Sequence, residues 1–161
     1  APHTLDEASK LDPDPSASAC EVIGSCDFKF TDSLGRTGPV SVNLPPGYAN
    51  VKSKTKRYPV IYLLHGYGQT PSDLKAAIVF LKNWMNAPTD SSAMRLPKAI
   101  MVYVDGRCRS GAKGAECIRG TFFTDSVRPN GPKMEVWFNE LMNEVDKRYR
   151  TMGPSDIEWT E

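Results

Sequence analysis

The sequence predicts an α/β fold in which parallel strands are connected by a helix that crosses one face of a sheet. Residues 60–64 form an apolar run without polar alternation, which is typical of a strand covered on both faces. A glycine-flanked turn and a helix start follow this run, and a second apolar run occupies residues 99–104. A strand, a helix and a second buried strand in this order predict a right-handed crossover.

The segment that precedes these elements, residues 27–48, predicts an antiparallel hairpin. Apolar residues alternate with polar ones in its two halves, which contain Phe28 and Phe30, then Val40, Val42 and Leu44. Turn-forming residues 32–35 separate the halves. Residues 1–26 are predicted to be a flexible arm, because residues 1–19 are rich in Pro, Asp, Ser and Ala and have no hydrophobic period.

Two amphipathic helices are predicted. The first starts at Thr70, with Pro71 and Asp73 in its first turn. Its sheet-facing residues recur at helical spacing: Leu74, Ala77, Ile78, Leu81 and Met85. The second helix covers residues 133–150, and one stripe of it is apolar: Met134, Trp137, Phe138, Leu141, Met142, Val145 and Tyr149. Both stripes are expected to pack against the sheet.

The turn after the first apolar run is the candidate binding site. Gly66 and Gly68 lack a Cβ, so that residues 65–69 can direct main-chain N–H groups at one point. Residues 105–124 leave the same carboxyl end of the sheet after the second buried strand. We therefore expect an anion site at this end, with a ligand cleft beside it that Phe122 and Phe123 wall.

The four cysteines fall into two local pairs: Cys20 with Cys26, and Cys108 with Cys117. Their spacing is not that of a zinc site and the two histidines, His3 and His65, are far apart, so no metal is predicted. Two disulfides and a secreted or periplasmic location are favoured, with four reduced thiols in a cytosolic protein as the alternative. The formal net charge of +1 gives no reason to expect nucleic acid or a membrane as partner, and no membrane span is predicted.

Five motifs occur in an order and spacing that resemble a known family. They are VSVNLPPGY, RYPVIYLLHGYGQ, AIMVYVDG, GTFFTDS and VDKRYRT. Over residues 40–151 the chain resembles the front half of the esterase D-type α/β-hydrolases, which include feruloyl and acetyl-xylan esterases, S-formylglutathione hydrolases and the mycolyltransferase antigens. The resemblance implies the N-terminal part of an α/β-hydrolase sheet, an antiparallel hairpin followed by parallel strands with crossover helices. Residues 27–161 would then be the N-terminal half of one domain.

The resemblance also implies ester hydrolysis by a Ser–His–acid triad, with backbone N–H groups that stabilise the oxyanion. One such donor comes from the turn after the third strand, here Tyr67 or its neighbours Gly66 and Gly68. The residues expected at the substrate cleft are His65, Gln69, Phe122, Phe123 and Asp125. His65 is expected to be structural, because the family takes its general base from the C-terminal end. The resemblance implies no cofactor.

The catalytic residues are where the chain departs from the family. No G-x-S-x-G motif occurs, and Ser110 lacks the preceding strand and following helix that this motif requires. We therefore expect the triad on a second chain, the C-terminal half of the same hydrolase, separated by cleavage within residues 153–161. Without that half, the strand at residues 58–64 would have a bare apolar edge. This chain alone is expected to be inactive.

Two other interpretations stay open from the sequence. The chain could be a non-catalytic module that binds carbohydrate or a protein partner, or an acyltransferase of the mycolyltransferase type. The expected substrate is a small-molecule or polysaccharide-linked ester. Tyr67, Phe122 and Phe123 favour an aromatic or long apolar acyl group.

Overall fold

The computed structural model describes residue 20 and residues 24–88, 95–107, 121, 123–127, 129 and 131–156. Several predictions fall outside these residues. They concern most of the N-terminal arm with His3, the Cys108–Cys117 disulfide, Ser110, and the position of Phe122.

A mixed sheet of four strands forms the centre of the fold. The strands are β1 (Ser25–Thr31), β2 (Thr37–Asn43), β3 (Val60–Leu63) and β4 (Ile100–Val104). Their order is β1-β2-β4-β3, in which β2 is antiparallel to both β1 and β4, and β3 is parallel to β4. The predicted hairpin and the predicted parallel pair are both confirmed, and so is the α/β class.

The hairpin turn between β1 and β2 is organised by a buried aspartate. The Asp32 carboxylate accepts the backbone N–H groups of Leu34 and Arg36 at 3.0 and 2.8 Å. The neighbouring Ser33 donates its N–H to Glu140 at 2.7 Å, and this contact attaches the turn to the second helix. A local Asx-type pattern and one long-range contact therefore fix the hairpin.

One helix covers each face of the sheet. Helix α1 (Lys75–Met85) lies on the face of Met101 and Tyr103, and helix α2 (Met134–Arg148) on the face of Ile100, Val102 and Val104. The predicted stripe of α2 is confirmed, because its central residues are buried: Met134, Trp137, Leu141, Val145 and, just after the helix, Tyr149. Burial of these side chains is the main stabilising contribution of α2.

The predicted start of α1 is confirmed, with one difference in the helix itself. The Asp73 carboxylate accepts the backbone N–H and the hydroxyl of Thr70 at 2.6 and 2.9 Å. A 3₁₀ turn, Pro71–Leu74, then leads into α1. Ala77, predicted to face the sheet, is exposed. The sheet below α1 ends at β3, so this flank of the helix has no strand to pack on.

Strand β3 also differs from its prediction. The apolar run predicts that both faces of this strand are covered. In the structure, Ile61 and Leu64 are 41% and 47% exposed. The reason is that β3 is the last strand in the sheet order and pairs with β4 alone among the named strands. Beside its start, Tyr58 donates its N–H to Arg150 and accepts the N–H of Met152, both at 2.9 Å. This forms an isolated parallel bridge with Thr151.

A disulfide joins Cys20 to Cys26, the second residue of β1, as the sequence predicts. The two Cα atoms are 5.0 Å apart. Inside the loop, Gly24 donates its N–H to the Cys20 carbonyl at 2.7 Å, and its own carbonyl accepts the N–H of Leu44 at 3.1 Å. The disulfide thus closes a short loop that is hydrogen-bonded to the end of β2.

Candidate functional site

The candidate site lies where the two parallel strands end. The turn at residues 65–69 follows β3, and Asp105, Gly106 and Arg107 follow β4. Because β3 and β4 are paired and parallel, both segments leave the same edge of the sheet. His65 connects them directly, since its Nε2 accepts the backbone N–H of Gly106 at 2.9 Å.

The hydrogen bonds of His65 define its protonation state. Nε2 accepts a hydrogen bond, so the proton of the neutral ring is on Nδ1, which donates to the Gly66 carbonyl at 3.0 Å. The residue is only 8% exposed. Asp105 Oδ1 lies 3.6 Å from Nε2, but a neutral ring makes no ion pair with it. Both ring nitrogens are engaged by backbone groups, an arrangement that favours a structural histidine over a general base.

Gln69 holds the glycine turn closed. Its side-chain Oε1 accepts the N–H of Gly66 at 2.7 Å, and its own N–H donates to the Gly66 carbonyl at 3.0 Å. A Cβ on Gly66 would meet this Oε1 at 2.7 Å, so a larger residue would displace the end of the Gln69 side chain. Gly68 has a φ of 72°, in the left-handed region. Gln69, which the sequence predicts as a cleft residue, thus stabilises the turn through its hydrogen bonds to Gly66.

Phe123 stands against this turn in an unusual backbone conformation. Its φ of 55° is in the left-handed region, which is costly for an aromatic residue. Its ring contacts that of His65 edge to face, with 5.2 Å between centroids. Thr121 anchors the segment, because its N–H and hydroxyl both donate to the Gly106 carbonyl, at 2.8 and 2.9 Å. Phe123 is therefore brought beside His65.

The Phe123 ring packs directly against Gly106. A Cβ built at Gly106 would overlap three carbons of the Phe123 ring. A residue with any side chain would displace the ring. The Asp-Gly pair after β4, which ends the AIMVYVDG motif, is the sequence signal for this close approach.

Asp125 is placed differently from the other predicted cleft residues. Its carboxylate accepts the backbone N–H of Glu135 at 2.9 Å, and Glu135 in turn accepts the N–H of Asp125 at 3.2 Å. This reciprocal pair satisfies one N–H group at the start of α2, that of Glu135. The Asp125 carboxylate is thus engaged with the helix.

Arg107 lowers the pKa of Asp105, which lies next to the turn. Its guanidinium donates to both carboxylate oxygens, at 2.8 and 2.9 Å from Nε. Partial burial alone would raise the pKa of Asp105, but the hydrogen bonds and charge of Arg107 outweigh burial and lower this pKa below its usual range. Asp105 therefore stays ionised and paired at neutral pH.

Within the described part of the chain, no group of His, Cys, Asp and Glu side chains could hold a metal ion. No helix among the same residues is long and apolar enough to cross a membrane.

The fold and this turn define the class of protein to which the chain is similar. No protein-family model matches the sequence. A ferulic acid esterase is 25% identical, with a TM-score of 0.54 over 80% of this chain and 46% of its own. An IroE-like serine hydrolase from Shewanella oneidensis is 18% identical, with a TM-score of 0.47 over 79% of this chain and 39% of its own. The siderophore hydrolase EstB from Aspergillus nidulans is 16% identical, with a TM-score of 0.42 over 84% of this chain and 46% of its own.

The chain therefore has the fold of the esterase-type α/β-hydrolases, as its motifs suggest. It spans less than half the length of the ferulic acid esterase that it matches.

We expect Gly106→Ala to lower the free energy of unfolding by about 1–3 kcal/mol, because the new methyl group displaces the Phe123 ring. The double variant Gly106→Ala/Phe123→Ala should lose at least about 0.5 kcal/mol less than the sum of the two single variants. Urea unfolding measures all three. Gly153→Ala is the matched control, since its Cβ would be 3.7 Å from the nearest atom. Strictly additive losses would contradict this contact.

We expect Arg107→Gln to raise the pKa of Asp105, which ¹³C NMR of the carboxyl group would measure against pH. In the wild type the folded-state pKa lies below the unfolded one. The lowered pKa of Asp105 contributes to the free energy of unfolding. This contribution is fully present above the unfolded-state pKa of about 3.9 and is lost as the pH falls through the folded-state pKa. As the pH falls through this range, the free energy of unfolding should decrease less in the variant than in the wild type.

The control for this titration is Arg57→Gln, because Arg57 contacts the Thr151 carbonyl and not Asp105. If the pKa of Asp105 is the same in the Arg107 variant and in the wild type, the Arg107 guanidinium does not lower the pKa of this carboxylate.

Proposed function

We propose that this chain supplies the oxyanion turn and part of the substrate cleft of a serine esterase. The observation that carries the proposal is the braced glycine turn at the carboxyl end of β3, held by Gln69 on one side and by His65 on the other. The similarity to a ferulic acid esterase supports ester hydrolysis as the reaction. The serine, histidine and acid are on the part of the domain that lies beyond this chain.

The turn acts through its backbone. When the serine attacks the ester carbonyl, its proton passes to the histidine and negative charge develops on the carbonyl oxygen. The N–H of Tyr67, with that of Gly68 beside it, is the proposed donor to this oxygen. The N–H of Gly66 is already donated to Gln69, which leaves it as a structural contact in the turn. Fixed donors are effective because they need no reorganisation during the reaction.

The acyl side of the cleft is aromatic. Phe123, held against His65, and the exposed ring of Tyr67 flank the turn. Flat aromatic surfaces of this kind suit an aromatic acyl group, such as the hydroxycinnamoyl group of an ester substrate. The similarity to a ferulic acid esterase supports the same substrate class. Phe122 is proposed as a second wall.

The partner is the remainder of the same domain, which is proposed to join the sheet at β3. The two edges of the described sheet differ in a way that supports this. The β1 edge carries exposed Asp27 and Lys29, and charges of this kind discourage strand addition. The β3 edge instead carries Ile61 and Leu64, which are partly exposed and apolar. An apolar edge strand in this position calls for another strand.

An exported location is part of the proposal. The Cys20–Cys26 disulfide supports it, because such bonds persist in oxidising compartments. A disulfide between Cys108 and Cys117 is proposed for the same reason.

The experiment uses the complete protein, meaning this chain together with the remainder of the domain, continuous with it or copurified with it. We expect hydrolysis of methyl ferulate and labelling of one serine outside this chain by a fluorophosphonate probe. Tyr67→Pro, which removes the backbone N–H, should lower kcat by about 10²–10³-fold with a much smaller change in KM.

Tyr67→Ala is the matched control, because it removes the side chain but keeps the N–H. It should retain most of kcat and show its main effect in KM. The esterase proposal would be refuted if the complete protein neither hydrolysed an aryl ester nor reacted with the fluorophosphonate probe. Equal losses of kcat in both variants would refute only the role of the N–H.

A further inference from the structure

A loop before β3 concentrates positive charge. Lys52, Lys54, Lys56 and Arg57 occur within six residues, and all four are exposed. Residues 33–72, which include them, contain no Asp or Glu. The whole chain has a formal net charge of only +1, so the charge of this segment is a local feature. We call residues 52–57 the basic loop.

The strand pairing places the basic loop at the end of the sheet opposite the candidate site. Val60, the first residue of β3, is in register with Ile100, the first residue of β4. The loop therefore lies at the amino ends of these strands, whereas His65 and Asp105 follow their carboxyl ends. The five residues of β4 span about 16 Å at about 3.3 Å each. A small ligand cannot contact both ends of the sheet at once.

Two further cations lie beside the basic loop. Lys98 is exposed and donates to the Pro46 carbonyl at 2.5 Å, in the turn that precedes the loop. Arg57 donates to the Thr151 carbonyl at 3.1 Å, which brings the loop next to Arg150. Residues from three separate segments of the chain thus contribute positive charge to one end of the sheet.

The ammonium groups of the basic loop are not neutralised by carboxylates. Within the part of the chain that the structure describes, Lys52, Lys54 and Lys56 form no ion pair, and the ion pairs found there join other residues. The side chains of Arg57 and Lys98 donate to backbone carbonyl groups, which leaves their charge uncompensated. A surface of this kind attracts an anionic partner.

The chemistry of the basic loop suits a polymer that carries carboxylates. Sites for a single phosphate use convergent backbone N–H groups or a guanidinium fork, whereas this loop presents several separate ammonium groups on flexible stems. Single-stranded nucleic acid is bound with aromatic rings that stack on the bases, and residues 49–57 contain no aromatic residue. Repeated carboxylates on a carbohydrate chain can pair with repeated ammonium groups without such rings.

We propose that the basic loop, together with Lys98 and Arg150, binds the uronic acid units of an acidic polysaccharide. The inference rests on the proposed function for the ester hydrolysis, and it adds that the alcohol part of the substrate belongs to this polymer. A polysaccharide is long enough to reach from the loop to the turn at residues 65–69. Attachment at the loop raises the concentration of the polymer's esters near that turn.

The first test measures the affinity of the complete protein for polygalacturonate by isothermal titration calorimetry. We expect binding that weakens as NaCl is added, because salt screens exposed charges. Fully methyl-esterified polygalacturonate, which has lost its carboxylates, should not bind. The double variant Lys52→Gln/Lys56→Gln should raise the Kd for polygalacturonate at least about fivefold, since two surface charge contacts are removed.

The matched control is Lys29→Gln/Lys75→Gln, which removes the same charge from two exposed lysines outside the basic loop. Its Kd should stay within about twofold of the wild-type value. The proposal is overturned if both double variants have the same Kd, or if the neutral polymer binds as tightly as the acidic one. Tighter binding to DNA or to phosphatidylserine vesicles than to polygalacturonate would also overturn it.

The second test compares a small substrate with a polymeric one. On methyl ferulate, Lys52→Gln/Lys56→Gln should keep the wild-type kcat and KM, because the loop is at the far end of the sheet. On a feruloylated polysaccharide with uronic acid units, the same variant should raise KM about fivefold at unchanged kcat. This difference should disappear at high NaCl concentration. An unchanged KM on the polymer at low NaCl concentration would contradict the proposal.

The binding test separates this inference from the esterase proposal. Polygalacturonate carries no aryl ester, so a protein without ester turnover can still bind it through the basic loop. Conversely, an active esterase that does not bind polygalacturonate refutes only the role of the loop.

Discussion

The hydrogen bond from the Gly106 N–H to His65 Nε2 is the interaction on which the candidate site depends. It joins the ends of β3 and β4 and fixes the neutral tautomer of His65, whose Nδ1 then holds the Gly66 carbonyl. The glycine at position 106 also leaves space for the Phe123 ring. The buried imidazole thus links the turn that is proposed to stabilise an oxyanion to the Phe123 ring beside it.

The elements defined by short-range patterns were predictable, because their causes are local. The hairpin, the Thr70–Asp73 helix start, β4 and the apolar stripe of α2 all follow from alternation, capping and helical period. The errors concern Ile61, Leu64 and Ala77, which the sequence pattern predicts to be core residues. Their exposure depends on the absence of a neighbouring strand in the described sheet, and no local pattern contains that information.

The candidate site was predictable in place but not in detail. The glycines and the strand before them located the turn, since only backbone freedom and a sheet end are needed for that. The engagement of Gln69 with Gly66, and of Asp125 with Glu135, depends on side-chain rotamers that the residue types leave open. Arg107 pairs with Asp105 only two residues away, but nothing in the sequence distinguishes this pair from an unpaired surface aspartate and arginine.

The left-handed backbone of Phe123 has a consequence for engineering the enzyme. Glycine adopts this conformation without strain, so a glycine at position 123 would relieve the backbone while it removed the ring from His65. Variants selected for thermal tolerance and variants selected for the proposed activity on aryl esters would therefore diverge at this position. A library that varies residue 123 would show how much backbone strain the proposed acyl pocket tolerates in exchange for an aromatic surface.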